Sequence, residues 1–374
     1  MIHPKVGIIY LTITTAHWKA DIQRGLSSLE KINYPKDRLE LICVESKLSP
    51  TEFVKDWFEN NWMPKSGKEL PRITYVFNDQ VIGFSGNNNI GMEKARELGC
   101  DYIYLLNEDA EADPDFLIRA VERAEADPSV AYVQSLILLG QEREKVNTIG
   151  NAFHFLGFGY SNGYLWTKDQ ALKFFEKERQ KNPALEIGYL SGAGVLGRMS
   201  AIEKCGLFDH RFFMYHEDTD ASFQARIRGF KTVVEPASLV YHHYDFTKSI
   251  KKYYLMERNR WAMVFSFYRL WTIVAILPMF IAMELALLSF SFKRGWWPEK
   301  KKVYKEVFSR DFWKWIRERR KKIHAERTIS DRELLRYMVS TVEFQGEEVK
   351  NVLLTHIGNP VMRAYGWVLR RLVV

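Results

Sequence analysis

Cysteine is scarce in this chain: Cys43, Cys100 and Cys205 stand far apart, with no Cys-x-x-Cys pair and an odd total. A disulfide framework and a zinc scaffold are excluded on that count, and the thiols read as ordinary ones in a reducing compartment. No Gly-Lys-Ser or Gly-Lys-Thr occurs, which excludes a Walker-type phosphate loop. The glycine-rich stretch Gly83–Gly91 also lacks the Gly-x-Gly-x-x-Gly spacing of a dinucleotide fold. There is no internal repeat and no low-complexity tract. The first apolar run, Val6–Ile13, is short and leads to His17-Trp18-Lys19 rather than a small-residue cleavage site, so no signal peptide is expected.

What the chain does have is a globular composition, 47% hydrophobic and 14% aromatic. Its formal charge of +8 is unevenly placed. From Lys293 onward there are 20 Lys/Arg against 10 Asp/Glu, so the residues before it are close to neutral. A basic C-terminal piece beside a neutral front points to an anionic partner, either nucleic acid or a phospholipid surface.

The most informative stretch is Asp101-Tyr102-Ile103-Tyr104-Leu105-Leu106-Asn107-Glu108-Asp109. Its apolar part reads as a buried strand that stops abruptly in polar oxygens. In open α/β sheets the carboxyl ends of strands are where ligands bind, and such oxygens suit a hard divalent cation that neutralises a diphosphate. An acidic loop before a helix is the plainer alternative. Asp113-Pro114 then open a helix over Asp115–Ala126.

Around this stretch the pattern alternates. Strands are expected at Val6–Ile13, Leu39–Val44 (closing on Glu45) and Ile73–Phe77, with helices at Asp21–Ile32 and Glu52–Asn61. Gly83-Phe84-Ser85-Gly86-Asn87-Asn88-Asn89-Ile90-Gly91 reads as a turning, amide-rich segment leading into a helix that ends near Leu98. This alternation implies a largely parallel sheet covered on both faces. Gly150–Trp166 reads as a hairpin or aromatic platform, and Tyr189–Leu196 as a small-residue segment that a ligand can approach closely. A second acidic cluster, Glu217-Asp218-Thr219-Asp220, follows Phe212-Phe213-Met214-Tyr215 and precedes a helix over Ala221–Arg228. Helix capping explains part of it, but the density of acids points to function.

Taken in order, these pieces resemble glycosyltransferase family 2. They are the first strand, Glu45, Gly83–Gly91, Leu106-Asn107-Glu108-Asp109, Ser191-Gly192-Ala193, Gly206-Leu207-Phe208-Asp209, Tyr215-His216-Glu217-Asp218 and Val240-Tyr241-His242. The likeness is dense over about residues 5–245, and Glu257-Arg258-Asn259 with the apolar stretch beyond it is similar to the rhamnosyltransferase-like branch.

The resemblance implies an α/β GT-A fold, a Rossmann-like mixed sheet flanked by helices. It divides the chain into a catalytic domain at 1–245 and a helical, membrane-associated region at 246–374. It also implies an inverting hexosyltransferase using a dTDP- or UDP-linked sugar, with rhamnose as the candidate, and Mn²⁺ or Mg²⁺ as cofactor. Asp109 would bind the metal and His242 would complete its shell. Asp218 would be the general base with Glu217 beside it. Thr12, Glu45, Gly83, Phe84, Asn88, Asn107, Glu108, Gly192 and Ala193 would line the donor. Two positions depart from the family pattern: Glu45 stands where an Asp is usual, and Val81 where an Asn is usual.

Trp271–Phe292 is apolar except for Glu284 and has roughly the length of a membrane span. Arginines precede it and Lys293-Arg294 follow it, so a span would export a cationic tail against the positive-inside tendency. Glu284 would cost about 3 kcal/mol at the bilayer centre. Helices lying in the interface, or a broken pair dipping in, fit better than one transmembrane helix, and a core helix of a soluble dimer is a third reading. The basic and aromatic run Arg310–Lys322 is read as a membrane-surface element, since no nucleic-acid fold signature appears. The expected protein works peripherally at the cytoplasmic face of the membrane on a lipid-linked or polysaccharide acceptor. A homodimer stays open. A sugar nucleotidylyltransferase would need a basic Gly-rich loop after the first strand, which Leu11–Thr15 is not. An inactive sugar-nucleotide-binding or assembly subunit is the competing class, because Asn107 replaces one acid of the metal motif.

Overall fold

The computed structural model describes residues 3–15, 17–46, 53–243, 253–342, 352 and 354–373. The chain forms two compact units, one of residues 1–151, 161–213 and 230–244, the other of 152–160, 214–229 and 245–374. The boundary expected at 245/246 falls outside the described residues.

The first unit is built on a mixed sheet. Its strands are β1 (Val6–Ile13), β2 (Leu39–Ser46), β3 (Arg72–Asn78), β4 (Tyr102–Leu106), β5 (Ala110–Ala112), β6 (Val130–Leu139), β7 (Val146–Thr148), β10 (Gly194–Arg198) and β11 (Lys231–His242). They lie in the order β3-β2-β1-β4-β10-β6-β11-β5, with β7 paired to β6. The sheet begins parallel, as expected, but β10 runs antiparallel to both β4 and β6. Strand β1 is an unbroken apolar run because both its faces are covered.

Helices α1 (Trp18–Leu29) and α4 (Phe116–Glu125) bury Ile22, Leu26 and Leu29, and Phe116, Ala120 and Ala124. That is the three- and four-residue spacing of one helix face against a sheet. Asp113 does not cap α4 directly. Its Oδ1 accepts from the Asp115 N–H at 3.1 Å, and Asp115 is the capping position.

The second unit is mainly helical. Its helices are α7 (Glu217–Ile227), α8 (Tyr253–Phe267), α9 (Leu270–Lys293), α10 (Trp297–Val307), α11 (Arg310–Ala325), α12 (Asp331–Arg336) and α13 (Asn359–Leu372). A small sheet of β8 (Asn151–His154), β9 (Gly159–Ser161) and β12 (Met338–Val339) fills the place read as a hairpin or aromatic platform.

Two expectations change here. Helix α9 is continuous through Pro278 rather than a broken pair. The run Arg310–Lys322 is not wholly a surface. Phe312 and Trp315 are buried, Arg319 pairs with Asp220, and Arg320 donates to the carbonyls of Phe265 and Tyr268 at 2.8 and 2.7 Å.

Glu284 has a reason to sit in an apolar helix. It pairs with the buried Arg260 of α8 and with Lys300 of α10 at 2.9 Å. Glu257 closes the cluster, 3.0 Å from Arg260 and 2.6 Å from Lys300. Burial alone would raise the Glu257 carboxyl, but the two cations bring it down to about 2. The Glu257 contribution is therefore complete above its ordinary value of 4.5 and fades as pH falls toward 2. Glu257→Ala would leave two buried cations facing one carboxylate. Urea unfolding at neutral pH should register a loss of about 3–5 kcal/mol, shrinking toward pH 2.

Candidate functional site

Parallel pairing of β1, β2 and β3 lines up their polar ends. Thr12 and Glu45 are register partners, and Glu45 in turn pairs with Phe77. Thr12 and Glu45 are both buried. The Glu45 carboxylate accepts from the Val54 N–H at 2.7 Å and from the Tyr75 hydroxyl. Both oxygens are engaged, and each retains a second lone pair. Burial, reinforced by the bond to Glu45, holds the Tyr75 phenol far above its ordinary value.

The glycine- and asparagine-rich stretch differs from its expected form. It does not lead into a helix but is the first half of helix α3 (Gly83–Glu97). Gly83 has φ +73°, and a Cβ there would overlap the Phe213 carbonyl. The asparagines act as fasteners. Asn87 donates to the Gly83 carbonyl at 2.7 Å and to Ser46 Oγ at the end of β2, and accepts from Asn78 at 2.7 Å. Asn88 donates to the Phe84 carbonyl at 3.0 Å, and Asn89 exchanges two bonds with the Phe208 backbone at 2.8 and 3.0 Å. Poor helix formers are tolerated because long-range hydrogen bonds hold them there.

Gly192 lies against the Phe84 ring, which a Cβ would approach to 3.2 Å. The Ala193 carbonyl accepts from the Asn107 N–H at 3.3 Å. Gly192, Gly194 and Gly197 have dinucleotide-fingerprint spacing, but they enter β10 rather than open a helix.

The turn after β4 is pinned from both sides. The Tyr10 hydroxyl donates to the Glu108 carbonyl at 2.8 Å, and the His243 N–H donates to the Asp109 carbonyl at 2.8 Å. At the end of β11, His242 Nε2 lies 3.0 Å from Asp109 Oδ1. Two donor atoms about 3 Å apart suit neighbouring positions on one octahedral cation, given bond lengths of about 2.1 Å. Carboxylate with imidazole is a fitting donor set for Mn²⁺ or Mg²⁺. Among the described residues no group of three His, Cys, Asp or Glu side chains gathers tightly enough to hold a metal, so this pair would need oxygens from a ligand or water.

In the second unit, the acidic cluster forms the first turn of α7 itself rather than preceding it. Tyr215 and His216 have φ of +70° and +68°, a strained region for residues with a side chain. Asn259 holds this turn, donating to the Met214 and Tyr215 carbonyls at 3.0 and 2.7 Å. The Asp220–Arg319 pair ties the helix start to α11. Asp218 is half-buried, its Oδ1 accepting from the Thr219 N–H at 2.7 Å. Glu217 is buried, and burial followed by the charge of Asp218 holds its carboxyl well above the usual carboxylate range. Tyr75, Arg319 and the clamp role of Asn259 were not read from sequence. Only the placement of Asn259 in a family-like Glu-Arg-Asn segment offered a signal.

The chain belongs to the family described as Glycosyltransferase like family 2, whose profile matches residues 4–264. It is similar to an N-acetylglucosaminyl-diphospho-decaprenol L-rhamnosyltransferase of Mycobacterium tuberculosis, 35% identical over 22% of this chain and 26% of the relative. A probable glucomannan 4-beta-mannosyltransferase of Oryza sativa is 25% identical over 62% of this chain and 40% of its own length. The matches thus span about a quarter to two fifths of those curated relatives. Among solved structures, a mannosyltransferase from Pyrobaculum calidifontis in complex with GDP-Man and Mn²⁺ superposes with a TM-score of 0.50 at 14% identity, over 87% of this chain and 86% of that one. At that identity the likeness concerns the GT-A fold.

A buried acid that keeps its proton makes folding prefer low pH. The folded carboxyl of Glu217 binds its proton more tightly than the unfolded one, so its effect on stability worsens as pH rises from its ordinary value of 4.5. Glu217→Gln removes that dependence. Its melting temperature relative to the native chain should rise between pH 5 and pH 8, and a difference flat with pH would contradict the burial argument.

Proposed function

We propose that this protein is an inverting glycosyltransferase that moves a sugar from a nucleotide-diphosphate donor to an acceptor hydroxyl in a single displacement. The observation that carries this reading is the Asp109–His242 pair, 3.0 Å apart at the strand ends, in a chain of family 2. Asp109 and His242 would hold Mn²⁺ or Mg²⁺, which when bound neutralises the charge gathering on the departing diphosphate. Thr12 and Glu45 face the nucleobase of a dTDP- or UDP-linked donor. Gly83, Phe84, Asn88, Asn107, Glu108, Gly192 and Ala193 shape the remainder of its seat, where the missing side chains of Gly83 and Gly192 leave room for the Phe213 carbonyl and the Phe84 ring.

Asp218 is the base that takes the acceptor hydroxyl's proton. At its neighbour Glu217, burial followed by the charge of Asp218 raises the carboxyl well above its ordinary value, which disfavours the ionised form a base needs. The first turn of α7 favours a negative charge at 218 through the exposed N–H groups of the helix start. The likeness to a rhamnosyltransferase named for a diphospho-decaprenol substrate supports rhamnose as the sugar and a lipid-linked or surface-polysaccharide acceptor. With such an acceptor, our reading is a reaction at the cytoplasmic face of the membrane, with the chain held peripherally.

Asp218→Asn preserves shape and removes basicity. Turnover should fall by about 10²–10⁴ while donor affinity changes by no more than a few-fold, and Glu217→Gln should cost less. Near-normal turnover in Asp218→Asn together with a dead Glu217→Gln would move the base to Glu217 and overturn the assignment.

A further inference from the structure

We infer that helices α9 and α13 together form one docking face for an anionic lipid surface. Along α9, Leu270, Val274, Leu277, Ile281, Leu285 and Phe292 are exposed at the spacing of a single stripe. Over those residues a helix runs roughly 33 Å, so the apolar face lies flat along the helix rather than at one end. The flank beside that stripe is used by the protein itself: Thr272, Ile276, Phe280 and Ser291 are buried, and Glu284 sits in its ion cluster. Helix α9 is long and apolar enough to cross a membrane, but its four buried residues are spread from its first turn to its last, so it touches its own unit along its length while most of its surface stays bare, as in a helix lying on a bilayer.

Helix α13 extends this face. Val361, Tyr365, Val368 and Leu372 follow one another at three- and four-residue steps, and the Tyr365 hydroxyl donates to the Ala275 carbonyl of α9. The two helices are therefore neighbours, with the α13 stripe on the side toward α9. Trp367 is exposed on a separate flank of α13, about 100° round the helix from Val368, with the Arg371 guanidinium over its ring at 3.3 Å. Aromatic and cation together at an apolar edge match the headgroup level of a membrane.

Charge decides between a bilayer and a second copy. Asn359–Leu372 has no acid, and its Arg363 and Arg371 are exposed while Arg370 turns inward to the Leu335 and Met338 carbonyls; Lys293-Arg294 close the far end of α9. The one acid of α9, Glu284, is turned into the ion cluster. Two such faces brought together would oppose cation to cation, whereas an anionic leaflet complements them.

The test is vesicle flotation of the full-length chain with phosphatidylglycerol/phosphatidylcholine and with pure phosphatidylcholine. The two double variants are Trp271→Ser/Ile281→Ser and Trp367→Ser/Leu372→Ser, all at positions at least half exposed, with melting curves confirming that both remain folded. The native chain should prefer the anionic vesicles, and each variant should bind them at least tenfold more weakly. Native-like binding by the Trp367/Leu372 variant, or no anionic preference, overturns the two-helix face. A native dimer that both variants convert to monomer, without lipid binding, assigns the face to a second copy and overturns it too.

Discussion

Parallel register is the constraint on which the first unit depends. Because β1 pairs with β2 and β4 in the same direction, residues at the ends of three separate strands arrive at one edge. Thr12 meets Glu45, Ser46 meets Asn78, and Tyr10, the partner of Leu106, reaches on to the Glu108 carbonyl. A one-residue slip would turn each of these side chains to the opposite face. Asn87 of α3 locks the arrangement by bonding across the ends of β2 and β3. The same edge then presents Asp109, with β11 bringing His242 from 133 residues away in sequence.

The second unit solves a different problem, that of holding acids in a fixed and partly buried turn. Left-handed Tyr215 and His216 cost about 1–3 kcal/mol each, and such strain persists only where neighbours fix it. Asn259 and the Asp220–Arg319 pair supply that fixation from α8 and α11. Burial then sets the two neighbouring carboxyls apart, Glu217 buried and raised well above its ordinary value, Asp218 half-buried. Elsewhere in this unit, buried charges are matched by partners, Glu257 and Glu284 with Arg260 and Lys300, and Asp331 with Arg327.

Much of the sheet was legible because its strands are buried on both faces and so appear as unbroken apolar runs. Val6–Ile13 has the bounds expected of it, and Asp109 and His242, both singled out by family pattern, do meet. The starts of α3 and α7 were less legible. Glycine and asparagine, or a row of acids, disfavour a helix locally, and the bonds that override this come from distant residues. The reversed strand β10 looks like any short apolar segment in sequence. Helix α9 continues through Pro278, where propensity alone predicts a break. The partners of Glu284 and the clamp at Asn259 depend on contacts across 16 to 45 residues, which no local pattern encodes. The aromatic residues of α11 read as surface because basic neighbours surround them, yet Phe312 and Trp315 belong to the interior.

The central claim is that Asp109 and His242 bind a nucleotide-sugar through a divalent cation. Thermal melting with UDP-, dTDP- and GDP-linked sugars, each with Mn²⁺ and with chelator, tests it most directly. A ligand at 100 times its dissociation constant stabilises the fold by about 2.7 kcal/mol, enough to move the transition visibly. The expected result is a rise with at least one nucleotide-sugar that requires Mn²⁺ and is absent in Asp109→Ala. A rise of equal size with chelator, or in Asp109→Ala, would contradict the account.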